Sequence, residues 1–258
     1  MCTYTLHPKR KEHSIMITLF VVSDVHGHYT ELMEALSKAG FDKDNPTHYF
    51  VSCGDLFDRG TENARVYEFV TSLRRKFLIK GNHEDMLYNA LDRGYITRND
   101  AYNGTDITIL EFLGGKSVDA NGKINIKDNE EKVRKLKSFI DYMRNYYENG
   151  RYIFVHGWVP VIFNEGNKPI ANEKYRYATD YEWGDTRWYE WQQFYDAGAT
   201  LKDKIIVCGH RSAALGRMFD ETREPDCSDP FYGKGMIAID ALTYKSGRVN
   251  VLVINPDQ

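Results

Sequence analysis

The α/β class is predicted for this chain, because strand-like and helix-like segments alternate along most of it. Five short apolar runs, at residues 19–22, 49–53, 77–79, 152–155 and 205–208, each end in a compact polar block. Between the first of them lie stretches whose apolar residues recur every three to four positions, the period of one helix face. The polar blocks carry aspartate, asparagine and histidine, and open α/β sheets gather ligands at the carboxyl ends of their strands. Five sites distant in sequence can therefore converge on one crevice.

Residues 1–15 are polar, with a basic cluster at Pro8, Lys9, Arg10 and Lys11, and read as a flexible solvated tail. Residues 16–258 read as a single domain. The first strand ends in Ser23-Asp24-Val25-His26-Gly27. A helix over 30–39 places Leu32, Met33, Leu36 and Ala39 on one face and stops at Gly40. The second strand closes in Gly54-Asp55-Leu56-Phe57-Asp58-Arg59-Gly60, and a helix over 63–73 presents Val66, Phe69, Val70 and Leu73. The third strand leads into Gly81-Asn82-His83-Glu84 and a helix ending at Arg93 before Gly94. Residues 95–128, rich in Gly, Asn, Asp and Thr, predict an irregular insertion.

A helix over 130–148, ended by Asn149-Gly150, precedes the strand that closes in Val155-His156-Gly157. Residues 161–200 are aromatic and polar without a clean period. Trp183, Trp188 and Trp191 there read as core or lid packing in preference to nucleobase stacking. The fifth strand closes in Cys208-Gly209-His210, and 236–242 with 248–254 predict two strands joined through Lys245-Ser246-Gly247.

The chain has 258 residues, enough for one large domain, with 42% hydrophobic and 28% charged residues. A formal net charge of −3 offers no basic field for a nucleic-acid backbone, so strong nucleic-acid binding is not expected. Cys2, Cys53, Cys208 and Cys227 show no paired spacing, which predicts a reduced, cytoplasmic protein. The apolar run at 15–22 is broken by Thr18 and ends at Asp24, so neither a signal peptide nor a membrane span is expected.

The chemistry follows from residue type and spacing. Alternate side chains of an extended segment point to the same side, so Asp24 and His26 can face one ion. The Asp55 carboxylate can bridge two cations. Asn82 offers an amide oxygen, and His156 and His210 offer ring nitrogens. The count gives Asp24, His26 and Asp55 for one ion, and Asp55, Asn82, His156 and His210 for the other. A mixed oxygen and nitrogen set suits Mn²⁺ first, with Fe or Zn²⁺ as alternatives, over Ca²⁺ or Cu(I). Two such ions about 3.5–4 Å apart can clamp a phosphoryl group and activate the attacking hydroxide. Taken singly, each residue reads as a turn, a helix cap or a satisfied core histidine; their shared place at strand ends is what joins them. His28 reads as a structural or rim residue, Glu84 as support for its helix's first turn, and Cys53 and Cys208 as packing.

The five blocks in this order resemble the calcineurin-like metallophosphoesterases, and within them the phosphoprotein-phosphatase branch marked by GDxHG, GDxxDRG, GNHE, a lone His and GH. Residues 54–60 and 81–84 match that pattern letter for letter. The resemblance implies two β-sheets packed as a sandwich and flanked by helices, with the site at one edge. It implies His83 as general acid, Asp58 as its partner, and Arg59 as a phosphate ligand. Lys80 stands where the branch carries Arg, and Arg187 is the candidate for a further phosphate-binding Arg. Ser23 replaces a usual Gly, Gly157-Trp158 replaces Ala-Gly, and Arg211-Ser212 after His210 removes the second histidine of GHxH. That last change argues against the nuclease and cyclic-nucleotide branches.

The expected activity is hydrolysis of a phosphoester. A serine/threonine or dual-specificity phosphoprotein phosphatase comes first. A dinucleoside polyphosphate hydrolase of the diadenosine tetraphosphate type is the alternative, and a non-catalytic metal-binding scaffold stands third. The expected substrate is thus a phosphoprotein or a phosphorylated small molecule or nucleotide.

Overall fold

Period-two patterning in the strands sorts their side chains into two layers, and that sorting dictates the architecture. The protein is described by a computed structural model over residues 16–256; the tail expected at 1–15 lies outside the described residues. Along the chain come β1 (Thr18–Val22), α1 (Tyr29–Ala39), β2 (His48–Ser52), α2 (Asn63–Ser72), β3 (Lys76–Leu78), α3 (Asn82–Arg93), α4 (Arg98–Asn103), α5 (Thr105–Leu113) and α6 (Glu130–Tyr142). There follow β4 (Tyr147–Asn149), β5 (Tyr152–Phe154), β6 (Val161–Phe163), β7 (Pro169–Ala171), α7 (Asp180–Thr186) and α8 (Trp191–Asp196). The remaining elements are β8 (Ile205–Cys208), β9 (Phe231–Gly233), β10 (Met236–Ala238), α9 (Thr243–Ser246) and β11 (Leu252–Ile254).

One sheet has the order β11-β1-β2-β3, with β1, β2 and β3 parallel and β11 antiparallel to β1. The other has the order β4-β5-β8-β10-β9, its three inner strands parallel and its two edges antiparallel. The strands β6 and β7 form a separate hairpin. Leu19, Val21, Val51, Phe154, Val207 and Ile237 fill the space between the sheets. Their alternates Phe20, Val22 and Phe50 face the first helical layer, against Leu32, Val66, Leu87 and Leu136. On the far side Ile153, Ile206 and Met236 pack with Trp158, Trp183 and Trp191. The expected two-sheet sandwich flanked by helices is therefore the fold observed. Each fully buried Leu, Val or Ile in these layers contributes roughly 2 kcal/mol.

Three expectations need correction. Residues 95–128 are not irregular throughout, because α4 and α5 occupy much of them. Thr97 caps α4 by accepting from Asp100 N while Asp100 reaches back, and Gly104 at φ 87° turns the chain into α5. The helix predicted to 148 stops at Tyr142. Arg144 instead exchanges backbone hydrogen bonds with the β3 edge, its N–H to Leu78 O (2.9 Å) and its carbonyl from Lys80 N (2.8 Å). Tyr147 then stacks on Phe77 at 3.6 Å, so tertiary pairing overrides helix propensity. Finally, 236–242 and 248–254 are not a hairpin: β10 lies in one sheet and β11 in the other, with α9 between. Among the described residues, no helix is long and apolar enough to cross a membrane.

Candidate metal centre

Each inner strand delivers its polar group just past its carboxyl end. From the first sheet come Asp24 and His26 after β1, Asp55 after β2, and Asn82 and His83 at the start of α3. From the second come His156 after β5 and His210 after β8. The turns that aim them are strained: Asp24, His26, Asp55, Asp58, Arg59 and His210 all adopt positive φ, between 49° and 73°. Such conformations cost non-glycine residues about 1 kcal/mol or more each and persist where the surroundings over-determine them. Close approach supplies part of that determination. A Cβ at Gly209 would collide with Ser23 Oγ and Asp24 Oδ2, so only glycine lets the two sheets meet there. Glu84, fully buried, binds the second and third blocks together, accepting from Asp55 N (2.9 Å), Leu56 N (2.8 Å) and Gly81 N (2.8 Å). Burial, aided by Asp55, pushes its carboxyl up to about 7.

Two histidines are locked with one nitrogen inward. His26 Nδ1 donates to Phe57 O (3.0 Å) and His156 Nδ1 to Cys53 O (2.8 Å), leaving each Nε2 for the cradle. There, Asp55 Oδ2 lies 3.8 Å from His26 Nε2 and 3.3 Å from His156 Nε2. Asn82 Oδ1 is 2.9 Å from both His156 Nε2 and His210 Nδ1. Asp24 Oδ1 lies 3.9 Å from His26 Nε2, and Asp24 Oδ2 accepts from Ser23 Oγ (2.5 Å) and His210 N (3.0 Å). Carboxylate, amide and imidazole lone pairs thus converge, and that arrangement calls for a cation.

Burial and neighbouring charges set the acid–base properties of these groups. Burial alone would lower the His156 pKa, but the charge and hydrogen bond of Asp55, with Asp24, lift it to about 10. A proton there satisfies the lone pairs that a metal would otherwise take. Burial and the neighbouring His156 push His210 down to about 3. Burial raises Asp24 to about 6, opposed by His156. The donor set therefore fits two divalent cations sharing Asp55. Ligand atoms of Asp55, His156 and His210 lie within 4.8 Å of one another, as do those of His26, Asp55 and His83.

His83 is distinguished from the other histidines by its partner. Its Nδ1 donates to Asp58 Oδ2 at 2.9 Å, while its Nε2 faces the cradle, 3.9 Å from Asp55 Oδ2. Burial would depress its pKa, but Asp55 and Asp58 outweigh it and raise the ring above the ordinary histidine value. Asp58 is completely buried and also accepts from Thr105 Oγ1 (2.7 Å) and Thr108 Oγ1 (2.6 Å). Arg59 lies over Tyr244 at 4.5 Å, donates from Nη2 to Asn103 Oδ1 (3.2 Å), and keeps a buried Nε without a partner.

These groups line a cleft of about 370 Å³, whose walls include Asp24, His26, Asp55, Asn82, His83 and His210. Lys80 and Arg187 are not on those walls. Lys80 leaves β3 beside Arg144, and Arg187 is tied to Asp85 and Asn145. His28 turns its Nδ1 onto His26 O (2.6 Å) at the start of α1, a structural placement. The tryptophans divide: Trp183 and Trp191 are buried, whereas Trp188 is 52% exposed and lines the cleft.

Several cleft residues escaped the sequence reading. Asp240 is the buried group just past β10, at the strand-end position of the others. One of its oxygens accepts from Leu242 N (2.6 Å), and burial with the nearby Asp24 pushes its carboxyl well up. Its signal, an aspartate ending an apolar run, was hidden inside a predicted longer strand. Asn103 lies in the insertion read as irregular, as do Thr105 and Thr108, which are buried behind the cleft on Asp58, and Arg211, Tyr244 and Lys245 carried no pattern.

A family model described as calcineurin-like phosphoesterase matches residues 17–231. Among curated proteins, the PrpE asymmetrical bis(5'-nucleosyl)-tetraphosphatase of Bacillus velezensis is 36% identical over 80 residues, 28% of this chain and 32% of that protein. The symmetrical bis(5'-nucleosyl)-tetraphosphatase of Coxiella burnetii is 34% identical over 93 residues, 36% of this chain and 30% of that protein. The chain thus spans about a third of the length of these relatives. Among solved structures, the cold-active protein-tyrosine phosphatase of a psychrophilic Shewanella aligns with TM-score 0.55 at 18% identity, over 93% of this chain and 76% of that one. A metallophosphoesterase from Sphaerobacter thermophilus aligns with TM-score 0.51 at 15% identity, over 93% and 84%. At these identities the structural likeness shows the fold.

Proposed function

Because the chain belongs to the calcineurin-like phosphoesterase family, we propose that it is a metal-dependent phosphoester hydrolase whose chemistry centres on Asp55. Two divalent ions, manganese first among the candidates, would be held by Asp24, His26 and Asp55 and by Asp55, Asn82, His156 and His210, supplying Lewis acidity towards the phosphoryl group. Arg59 offers its planar guanidinium to phosphate oxygens, the group itself steadied by the Asn103 amide and the Tyr244 ring. His83 hands the proton on its cleft-facing nitrogen to the departing oxygen, with Asp58 fixing the ring through the other nitrogen. The observation that carries this reading is the place of Asp55 Oδ2, within 3.3 to 3.9 Å of ring nitrogens from three separate blocks.

For the substrate we take a dinucleoside polyphosphate, a reading about as well supported as a phosphoprotein. Trp188 stands edge-on to His210 and Tyr244 edge-on to His26, so two flat, partly exposed rings line the cleft beside the cradle. Such rings suit nucleobases at both ends of a phosphate chain. The curated relatives carry tetraphosphatase names as well. The phosphoprotein reading rests on the letter-for-letter agreement at 54–60 and 81–84. Turnover of diadenosine tetraphosphate, a phosphoserine peptide and a phosphotyrosine peptide, each with added Mn²⁺, decides between them. Faster peptide turnover reverses the substrate assignment, and no turnover with Mn²⁺, Fe²⁺ or Zn²⁺ removes the hydrolase. The free, buried thiols of Cys53 and Cys208 support a reducing, cytoplasmic setting.

A further inference from the structure

We propose that Arg211, and not Arg187, is the second guanidinium that binds substrate phosphate in the cleft. The proposal deepens the phosphoester reading and rests on it. Arg187 is spent on structure. Its Nη1 donates to Asp85 Oδ2 at 2.6 Å and its Nη2 to Asn145 Oδ1 at 2.5 Å, and only 8% of the residue is exposed. Both ends of its fork are occupied, and it lies off the cleft walls.

Arg211 differs on each count. It directly follows His210, lines the cleft, and has a side chain 45% exposed. Its backbone is pinned twice, the N–H to Gly209 O (2.7 Å) and the carbonyl by the indole N–H of the fully buried Trp191 (2.9 Å). Glu190 Oε1 lies 3.4 Å from Nε, which steadies the stem. The two terminal nitrogens make no hydrogen bond among the described residues, so the fork is open to a bidentate anion. Arg59 beside Tyr244 and Arg211 next to His210 both line the cleft. A tetrahedral oxyanion in that cleft would meet charge from both guanidinium groups. A fork anchored at its root and idle at its tip is the arrangement a ligand-binding arginine needs, because little ordering remains to be done on binding.

Two measurements on full-length, Mn²⁺-loaded protein test this. The first is tungstate or inorganic phosphate affinity by calorimetry for wild type, Arg211→Ala, Arg211→Lys and Arg187→Ala. Arg211→Ala should weaken anion binding roughly tenfold to a hundredfold, the loss of one charge-assisted pair. Arg211→Lys should recover only part of it, lacking the bidentate geometry. Arg187→Ala should lower the melting temperature and leave anion affinity unchanged. The second is steady-state hydrolysis of p-nitrophenyl phosphate, where Arg211→Ala should raise KM by a comparable factor. Unchanged affinity and KM in Arg211→Ala overturn the assignment, as does an equal or larger loss in Arg187→Ala. Should the wild type bind tungstate through Arg211 yet hydrolyse nothing, the assignment stands and the hydrolase reading fails.

Discussion

Thr108 Oγ1 donates to Asp58 Oδ1 across 2.6 Å, so a helix of the 95–128 insertion grips the carboxylate that meets His83. Thr105 Oγ1 holds the other oxygen at 2.7 Å, and the Asp58 N–H is met by Asn63 Oδ1 at 2.8 Å. A completely buried carboxylate thus has donors on both oxygens. The insertion holds the carboxylate to which His83 donates.

Thr108→Val keeps the shape of the side chain and deletes the hydroxyl, leaving Asp58 short of one donor. The expected loss is about 1–3 kcal/mol of stability. A rate loss confined to poor leaving groups should accompany it, because the His83 ring is less firmly aimed. Urea unfolding measures the first, and comparing an alkyl with an aryl phosphate measures the second. Equal losses on both esters would assign Thr108 a purely structural part.

His83→Asn removes the proton donor and leaves the cradle ligands in place. Both ions should remain by elemental analysis, while activity towards poor leaving groups falls roughly 10²- to 10⁴-fold. Undiminished turnover of a phosphoserine peptide would dismiss the acid role.

Asp55→Asn takes away the charge shared by the two proposed sites, so both should lose affinity together. Metal titration should show two weakened equilibria, and the melting temperature should no longer rise when Mn²⁺ is added. Two fully occupied ions in the variant contradict the bridging assignment.

Far from the cleft, Glu148 gives a pH signature. Burial would raise its carboxyl, but hydrogen bonds from Arg176, Lys204 and Tyr175 hold it below the ordinary value of 4.5. A depressed acid stabilises the fold above its unfolded pKa and loses that contribution as pH falls through the folded one. Glu148→Gln should therefore cost on the order of 1 kcal/mol near neutral pH, with the deficit shrinking below about pH 4. A pH-independent gap between the two proteins' unfolding midpoints counts against this linkage.

Much of the cradle was legible in the sequence because each candidate ligand sits beside a strand end, and strands of alternating apolar residues announce themselves. Asp24, His26, Asp55, Asn82, His156 and His210 all follow this rule, and the structure brings them together. Asp240 obeys it too, yet its strand is so short that the apolar run seemed to continue through it. The Thr97–Asp100 capping pair was readable, and its neglect hid α4 and, with it, the supports of Asp58 and Arg59. Other features were beyond local pattern. Nothing near Met143 stops α6 except the hydrogen bonds that Arg144 makes with the β3 edge. Arg187 and Arg211 look alike in sequence, and only the acid and amide that hold the former separate their parts.

The pairing of β1 with β11 has a bearing on how the molecule comes into being. Leu19 lies opposite Ile254, so the first strand of the described residues waits for one made more than two hundred positions later. During synthesis one flank of β1 stays bare until the ribosome has passed that point. Asp24 and His26 hang from this same strand. The nascent protein therefore presents these two side chains on a sheet whose edge is not yet covered.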